Sequence, residues 1–288
     1  CTLLFVPESP IKVPAKIDWA GAALLSIGLA TLLLGISEGP RWGWASARLA
    51  AAFAVSVGAL YAWIRWELRV GDPLVDMRMM RKRAVWSTNL AGLLVGFGMF
   101  GSFILIPQFV QAPPGAGYGF NATVTEAGLI LLPSTTVMLF AGPIAGWLGG
   151  RVGSRLPLLI GTLTAAVAFG FIAIAHAHRW ELYIGSALMG AGIGFAFAAM
   201  ANLIVEAVEP TETGVATGMN TIMRTIGGSL GGQISATIVS ATVITGTHTA
   251  VESGYTAAFF LSSAVMLLAF GATLLVPVRE RMHTRRTS

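Results

Sequence analysis

The sequence predicts an all-α, polytopic membrane protein with eight transmembrane helices, arranged as two plus six. Three observations carry this. Of the 288 residues, 55% are hydrophobic and only 11% are charged, against roughly 45–50% and about 25% for soluble domains. Eight stretches reach the ~20 largely apolar residues that a bilayer-crossing helix needs. Within them apolar residues do not alternate with polar ones, as barrel strands would require; they are apolar on all sides. So little charge cannot cover a soluble surface, which excludes a water-soluble enzyme or nucleic-acid reader and, more firmly, a disordered chain.

The spans are expected near Asp18–Ser37, Arg48–Trp66, Val85–Gln108, Glu126–Gly150, Leu156–Ala177, Leu182–Val205, Thr213–Ile244 and Tyr255–Val276. Turn-forming or polar runs separate them, such as Ser37-Glu38-Gly39-Pro40-Arg41, Ala112-Pro113-Pro114-Gly115 and Thr245-Gly246-Thr247-His248. Residues 1–17 read as a cytoplasmic segment, 18–66 as a central helix pair and 67–84 as an amphipathic basic connection. Residues 85–276 form the six-helix unit and 277–288 a basic tail. The connection carries Leu74-Val75-Asp76-Met77-Arg78-Met79-Met80-Arg81-Lys82-Arg83, whose spacing predicts either a short interfacial helix or a plain basic linker.

Charge gives the orientation. With eight spans both ends face one side, and all but Arg41, Arg48 and Arg179 of the 18 basic residues fall there. The positive-inside rule makes that side the cytoplasm, in the plasma (inner) membrane. The net charge of +5 is therefore a topology signal, and no nucleic-acid partner is expected. One cysteine, Cys1, and a lone His176/His178 pair in a turn predict no metal site and no cofactor. The G-x-G-x-x-G at Gly96–Gly101 sits inside an apolar span with no strand before it, so no dinucleotide site is expected.

The fourth connection reads Gly146-Trp147-Leu148-Gly149-Gly150-Arg151-Val152-Gly153-Ser154-Arg155. It resembles the loop signature of the major facilitator superfamily, G-x-L-a-D-R-x-G-R-[RK], departing at Gly150 where the family has aspartate. Gly146, Arg151, Gly153 and Arg155 match and are the conformational loop candidates. Lys16-Ile17-Asp18-Trp19-Ala20-Gly21, Pro73-Leu74-Val75-Asp76-Met77-Arg78 and the stretch from Gly214 through Asn220 to Gly231 are similar to the fourteen-helix drug:proton antiporters of that superfamily.

The resemblance implies helices seven to fourteen of fourteen: a central pair and the C-terminal transporter half, with an N-terminal half missing upstream. It also implies a non-enzymatic secondary transporter exporting small amphipathic or cationic compounds in exchange for protons, by rocking of two halves around a cavity.

Five polar residues within spans are pathway candidates: Asn89, Asn202, Asn220, Arg224 and Gln233. Each asparagine or glutamine either contacts substrate or ties helices together. Arg224 lies about 16 Å into its helix, a costly depth for a cation; it lines the pathway, or it snorkels or bonds Glu206 and Asn202. Asn220 and Arg224 share a face, being four apart. All thirteen acids fall in connections or near span ends, whereas proton coupling needs a carboxylate inside the pathway. Glu126 is the one weak local candidate, with an N-terminal helix charge as the alternative. Otherwise the coupling acid belongs to the missing half.

Overall fold

The computed structural model describes residues 18–71, 73–243 and 250–277. The predicted N-terminal segment with Lys12 and Lys16, the Thr245–His248 break and almost all of the basic tail lie outside these described residues.

Among the described residues eight long helices form: α1 Trp19–Trp42, α2 Ala47–Glu67, α3 Arg83–Val110, α4 Val124–Val152, α5 Arg155–Ile174, α6 Arg179–Ala207, α7 Thr213–Ala241 and α8 Glu252–Leu274. All but α7 are long and apolar enough to cross a membrane by composition alone. Helix α7 is 29 residues long and falls short because Asn220, Arg224, Gln233 and several threonines lie along it.

Capping chemistry sets the ends. Asp18 caps α1 by accepting from the Gly21 N–H at 2.8 Å, and Ser46 caps α2 through Leu49. Thr123 and Glu126 form a reciprocal capping box on α4, which satisfies donors that a helix start leaves free. Helix α1 runs through the predicted break at Gly39-Pro40, where the Arg41–Glu38 pair spans its last turn. Helix α5 stops at Ile174 rather than Ala177, because the His176 ring nitrogen Nδ1 turns back onto the Ile172 carbonyl at 2.7 Å. Pro107, Pro133 and Pro143 stay inside helices without breaking them.

The connection after α2 is not a continuous helix. It makes one 3₁₀ turn, Met79–Arg81, and Asp76 accepts from the Arg78 and Met79 N–H groups. Val75 and Met79 are buried in a small core with Leu25, Trp63, Ile204, Ala216 and Met219. The apolar residues of the segment thus face protein, leaving no free stripe for an interface.

Within the six-helix unit the main neighbours are α3 with α7, α4 with α6, α5 with α6, α3 with α8 and α5 with α8. Exchanging α3 with α6, α4 with α7 and α5 with α8 maps this pattern onto itself. Two triplets are therefore related by an internal pseudo-two-fold, although their sequences do not visibly repeat. Lipid tails are as apolar as leucine, so close packing must hold these helices together. Glycine supplies it: a methyl on Gly227 would fall on the Leu93 carbonyl and one on Gly231 on the Phe97 carbonyl. In the related pair, a methyl on Gly190 would strike the Ser134 backbone and one on Gly194 the Met138 backbone. The contacts advance four residues at a time on both helices, so α3 runs parallel to α7 and α4 parallel to α6. Helices α1 and α2 pack on each other, and α1 joins the unit along α7.

Candidate functional site

The candidate polar residues do not all converge. Asn220 on α7 donates from Nδ2 to Asn89 Oδ1 on α3 at 3.0 Å, and both side chains are buried. Asn89 donates in turn to the Met80 sulfur at 3.4 Å. Asn220 also lies against Gly92, near Met200 of α6. These two asparagines satisfy each other and tie α3 to α7.

Arg224, one turn further along, is half-buried, and its guanidinium lies over the Phe197 ring of α6, 4.3 Å from the centroid. Among the described residues it makes no ion pair. It bonds neither Glu206 nor Asn202; Glu206 accepts from the Ser154 hydroxyl at 2.8 Å. A cation held on an aromatic face without a carboxylate is only partly compensated. It stands where α3, α6 and α7 meet.

Gln233 and Asn202 lie elsewhere. Gln233 is nine positions beyond Arg224, half a turn round α7. It shares a face with Thr237, whose hydroxyl meets the Ile36 carbonyl of α1 at 3.5 Å. Asn202 sits beside Gly149 at the α4 terminus.

The loop-signature residues build a tight turn between α4 and α5. Gly153 adopts φ +91, a conformation that glycine takes without strain, and its N–H closes onto the Gly149 carbonyl. Arg155 donates to the Leu274 carbonyl at 2.7 Å, neutralising the carboxyl end of α8. Arg151 stacks on Trp147 at 4.0 Å. A side chain on Gly146 would meet open space.

At this end the connections bind one another: Lys82 pairs with Glu212 at 3.1 Å and Arg83 donates to the Leu275 carbonyl. At the opposite end Arg179 pairs with Glu126 at 3.0 Å and His176 with Glu252 at 2.9 Å. Glu126 is thus engaged by its own capping box and by Arg179, at a helix end rather than within the bundle.

A further polar cluster, not legible in the sequence, joins the start of α1 to the end of α2. Glu67, only 3% exposed, accepts from Trp63 Nε1 at 2.7 Å and from the Val75 N–H at 3.2 Å. Asp18 accepts from Trp66 Nε1 at 3.0 Å. The available signal was two tryptophans, at 63 and 66, beside an acid at a helix terminus.

These features define a polytopic α-helical membrane protein built on a pseudo-symmetric six-helix unit, with a polar convergence on three of its helices. The Major Facilitator Superfamily model matches residues 17–232 and again 88–288, and the chain belongs to that family.

Among curated relatives it is 30% identical over 71% of its length to the "Multidrug resistance protein B homolog" of Mycobacterium tuberculosis, covering 38% of that protein. It is 31% identical over 75% of its length to "Drug efflux pump JefA" of the same organism, covering 42% of it. With the "Multidrug transporter protein MdtP" of Bacillus subtilis it shares 26% identity, over 71% of the chain and 37% of that protein. The chain thus spans about two fifths of the length of these relatives. A solved structure of nucleoside transporter NupG (the D323A mutant) shares the fold with a TM-score of 0.58 at 12% identity, covering 90% of this chain and 83% of that one.

Proposed function

We propose that this chain is the C-terminal portion, helices seven to fourteen, of a fourteen-helix secondary transporter that exports small amphipathic or cationic compounds in exchange for protons. The observation that carries this reading is the half-buried Arg224 on Phe197, at the meeting of α3, α6 and α7 beside the Asn89–Asn220 pair. An intramembrane cation without a carboxylate partner is a functional position by default. The names of the relatives, multidrug resistance and drug efflux proteins, support export of drugs as a class.

In this mechanism the six-helix unit rocks against the preceding half around a central cavity, and the α4–α5 turn braces its ends through Arg155 and Ser154. The described acids sit at helix ends, so the coupling carboxylate belongs to the preceding half. The basic end of the bundle faces the cytoplasm of a plasma (inner) membrane.

The test is efflux of a fluorescent cationic dye from cells making the full-length protein, with and without a collapsed proton gradient. Efflux that stops when the gradient collapses is expected; no dye movement in either state overturns the export reading. Arg224→Ala should cut transport about tenfold or more at normal membrane abundance. Unchanged transport removes Arg224 from the pathway, and lost abundance makes it structural.

A further inference from the structure

The helix pair α1–α2 is not used by the transport reading, yet it carries a site of its own. Helix α2 is 21 residues long, about 31 Å, close to the thickness of a hydrocarbon core. Its last turn therefore lies at the membrane–water boundary. There a groove of about 460 Å³ opens between the two helices, lined by Leu24, Tyr61, Ala62, Arg65, Trp66 and Arg69. The spacing of 61, 62, 65 and 66 puts these residues of α2 on one face, and Arg69 follows in the turn just past its end.

The floor is apolar and aromatic, while the rim toward the helix end carries two guanidiniums four residues apart. Both arginines are exposed, and neither makes an ion pair among the described residues. The nearby acids among the described residues, Asp18 and Glu67, are engaged elsewhere. Asp18 accepts from the Gly21 N–H and from the Trp66 indole, and Glu67, on the opposite face, is held by Trp63 and Val75. The Trp66–Asp18 contact also fixes the indole as one wall of the groove.

Aromatic rings belong at headgroup level, and basic pockets at the ends of transmembrane helices bind anionic headgroups. An apolar trough leading from the bilayer to paired cations matches one ligand chemistry. The geometry points to a bound phospholipid with an anionic headgroup, its phosphate between Arg65 and Arg69 and one acyl chain along Leu24, Tyr61 and Ala62. The helix pair is then a lipid-anchored support for α7, against which α1 packs.

Native mass spectrometry of the full-length protein, released from bilayers of equal phosphatidylglycerol and phosphatidylcholine, tests this. Two guanidiniums at a bilayer surface correspond to a roughly 30-fold preference for the anionic lipid. Arg65→Gln/Arg69→Gln should abolish the preference, while Arg78→Gln/Arg81→Gln, on the connection outside the groove, should keep it. Ala62→Trp, which fills the floor and leaves both arginines, should also release the lipid.

Equal retention by wild type and the Arg65/Arg69 variant overturns the proposal. So does an adduct that survives Ala62→Trp but is displaced by inorganic phosphate, which marks a surface anion site. A protein dimer lost with the same arginines would make the groove an interface between copies and overturn it too.

Discussion

Replacing Gly227 by alanine tests whether glycine contacts hold α3 against α7. The added methyl would fall on the Leu93 carbonyl oxygen, a backbone atom with no rotamer to yield. Four residues on, Gly231 meets the Phe97 carbonyl in the same way, so α7 cannot tilt away at one point without losing the next. Overpacking of this kind costs about 1–3 kcal/mol, and alanine in place of a helical glycine returns about 0.5–1 kcal/mol. Gly227→Ala should therefore destabilise by up to about 2.5 kcal/mol net, with a midpoint of about 1 kcal/mol.

Gly58 on α2 is the control, because a methyl there meets open space. Gly58→Ala should stabilise by about 0.5–1 kcal/mol. The same chemical change thus has opposite signs at two helical positions. Reversible unfolding of the full-length protein in mixed detergent micelles measures both. If Gly227→Ala is as stable as Gly58→Ala, α3 and α7 have slack between them and the close-packing argument fails.

Three further predictions follow from single contacts. In a double-mutant cycle, Asn89→Ala and Asn220→Ala should show a coupling of about 0.6 kcal/mol and no more than about 1.7 kcal/mol; zero coupling would mean the 3.0 Å bond contributes nothing. Glu67→Ala leaves the Trp63 indole and the Val75 N–H without their acceptor, at about 1–3 kcal/mol for each buried orphan. A cysteine placed at the fully buried Val75 should become reactive to a water-soluble maleimide in the Glu67→Ala background and stay protected in its absence. At the other end, partial burial, reinforced by the neighbouring Tyr255 hydroxyl, pushes the Tyr118 phenol up to about 12 from an ordinary 10. The neutral phenol, donating to the Ala250 carbonyl at 2.8 Å, is the stabilising form. Its contribution should be intact below pH 10 and lost as pH rises to 12, a loss that Tyr118→Phe should abolish in alkaline unfolding curves.

The spans were legible because a bilayer demands about 20 apolar residues whatever the neighbours are, and even α7, with its polar residues, forms where its apolar background predicts. Arg224 was legible as a cation far from either end of its helix, whereas the bond from Arg155 to the Leu274 carbonyl needed the fold. The connection after α2 was misleading: Val75 and Met79 recur at helical spacing, yet they fill a hole between α1, α2 and α7 rather than line an interfacial helix. Gln233 looked like Asn220 in sequence and faces the other way, since half a helical turn separates it from Arg224. Glu67 drew no attention, because a terminal glutamate is ordinarily solvated and only the fold brings Trp63 and Val75 over it.

Composition alone determined the solvent of this protein: 11% charge cannot cover a water-exposed surface. The loop signature, taken together with the motifs on either side of it, pointed to the family. The tertiary structure decided which helices touch, because Gly96, Gly227 and Gly231 look in sequence like Gly58, and only facing carbonyls distinguish a contact from an open surface. It also decided what each polar group does. A single side chain in a span reads the same whether it meets a second asparagine, a phenyl ring or nothing, and hydrogen-bonding capacity acquires a role only when a partner is within reach.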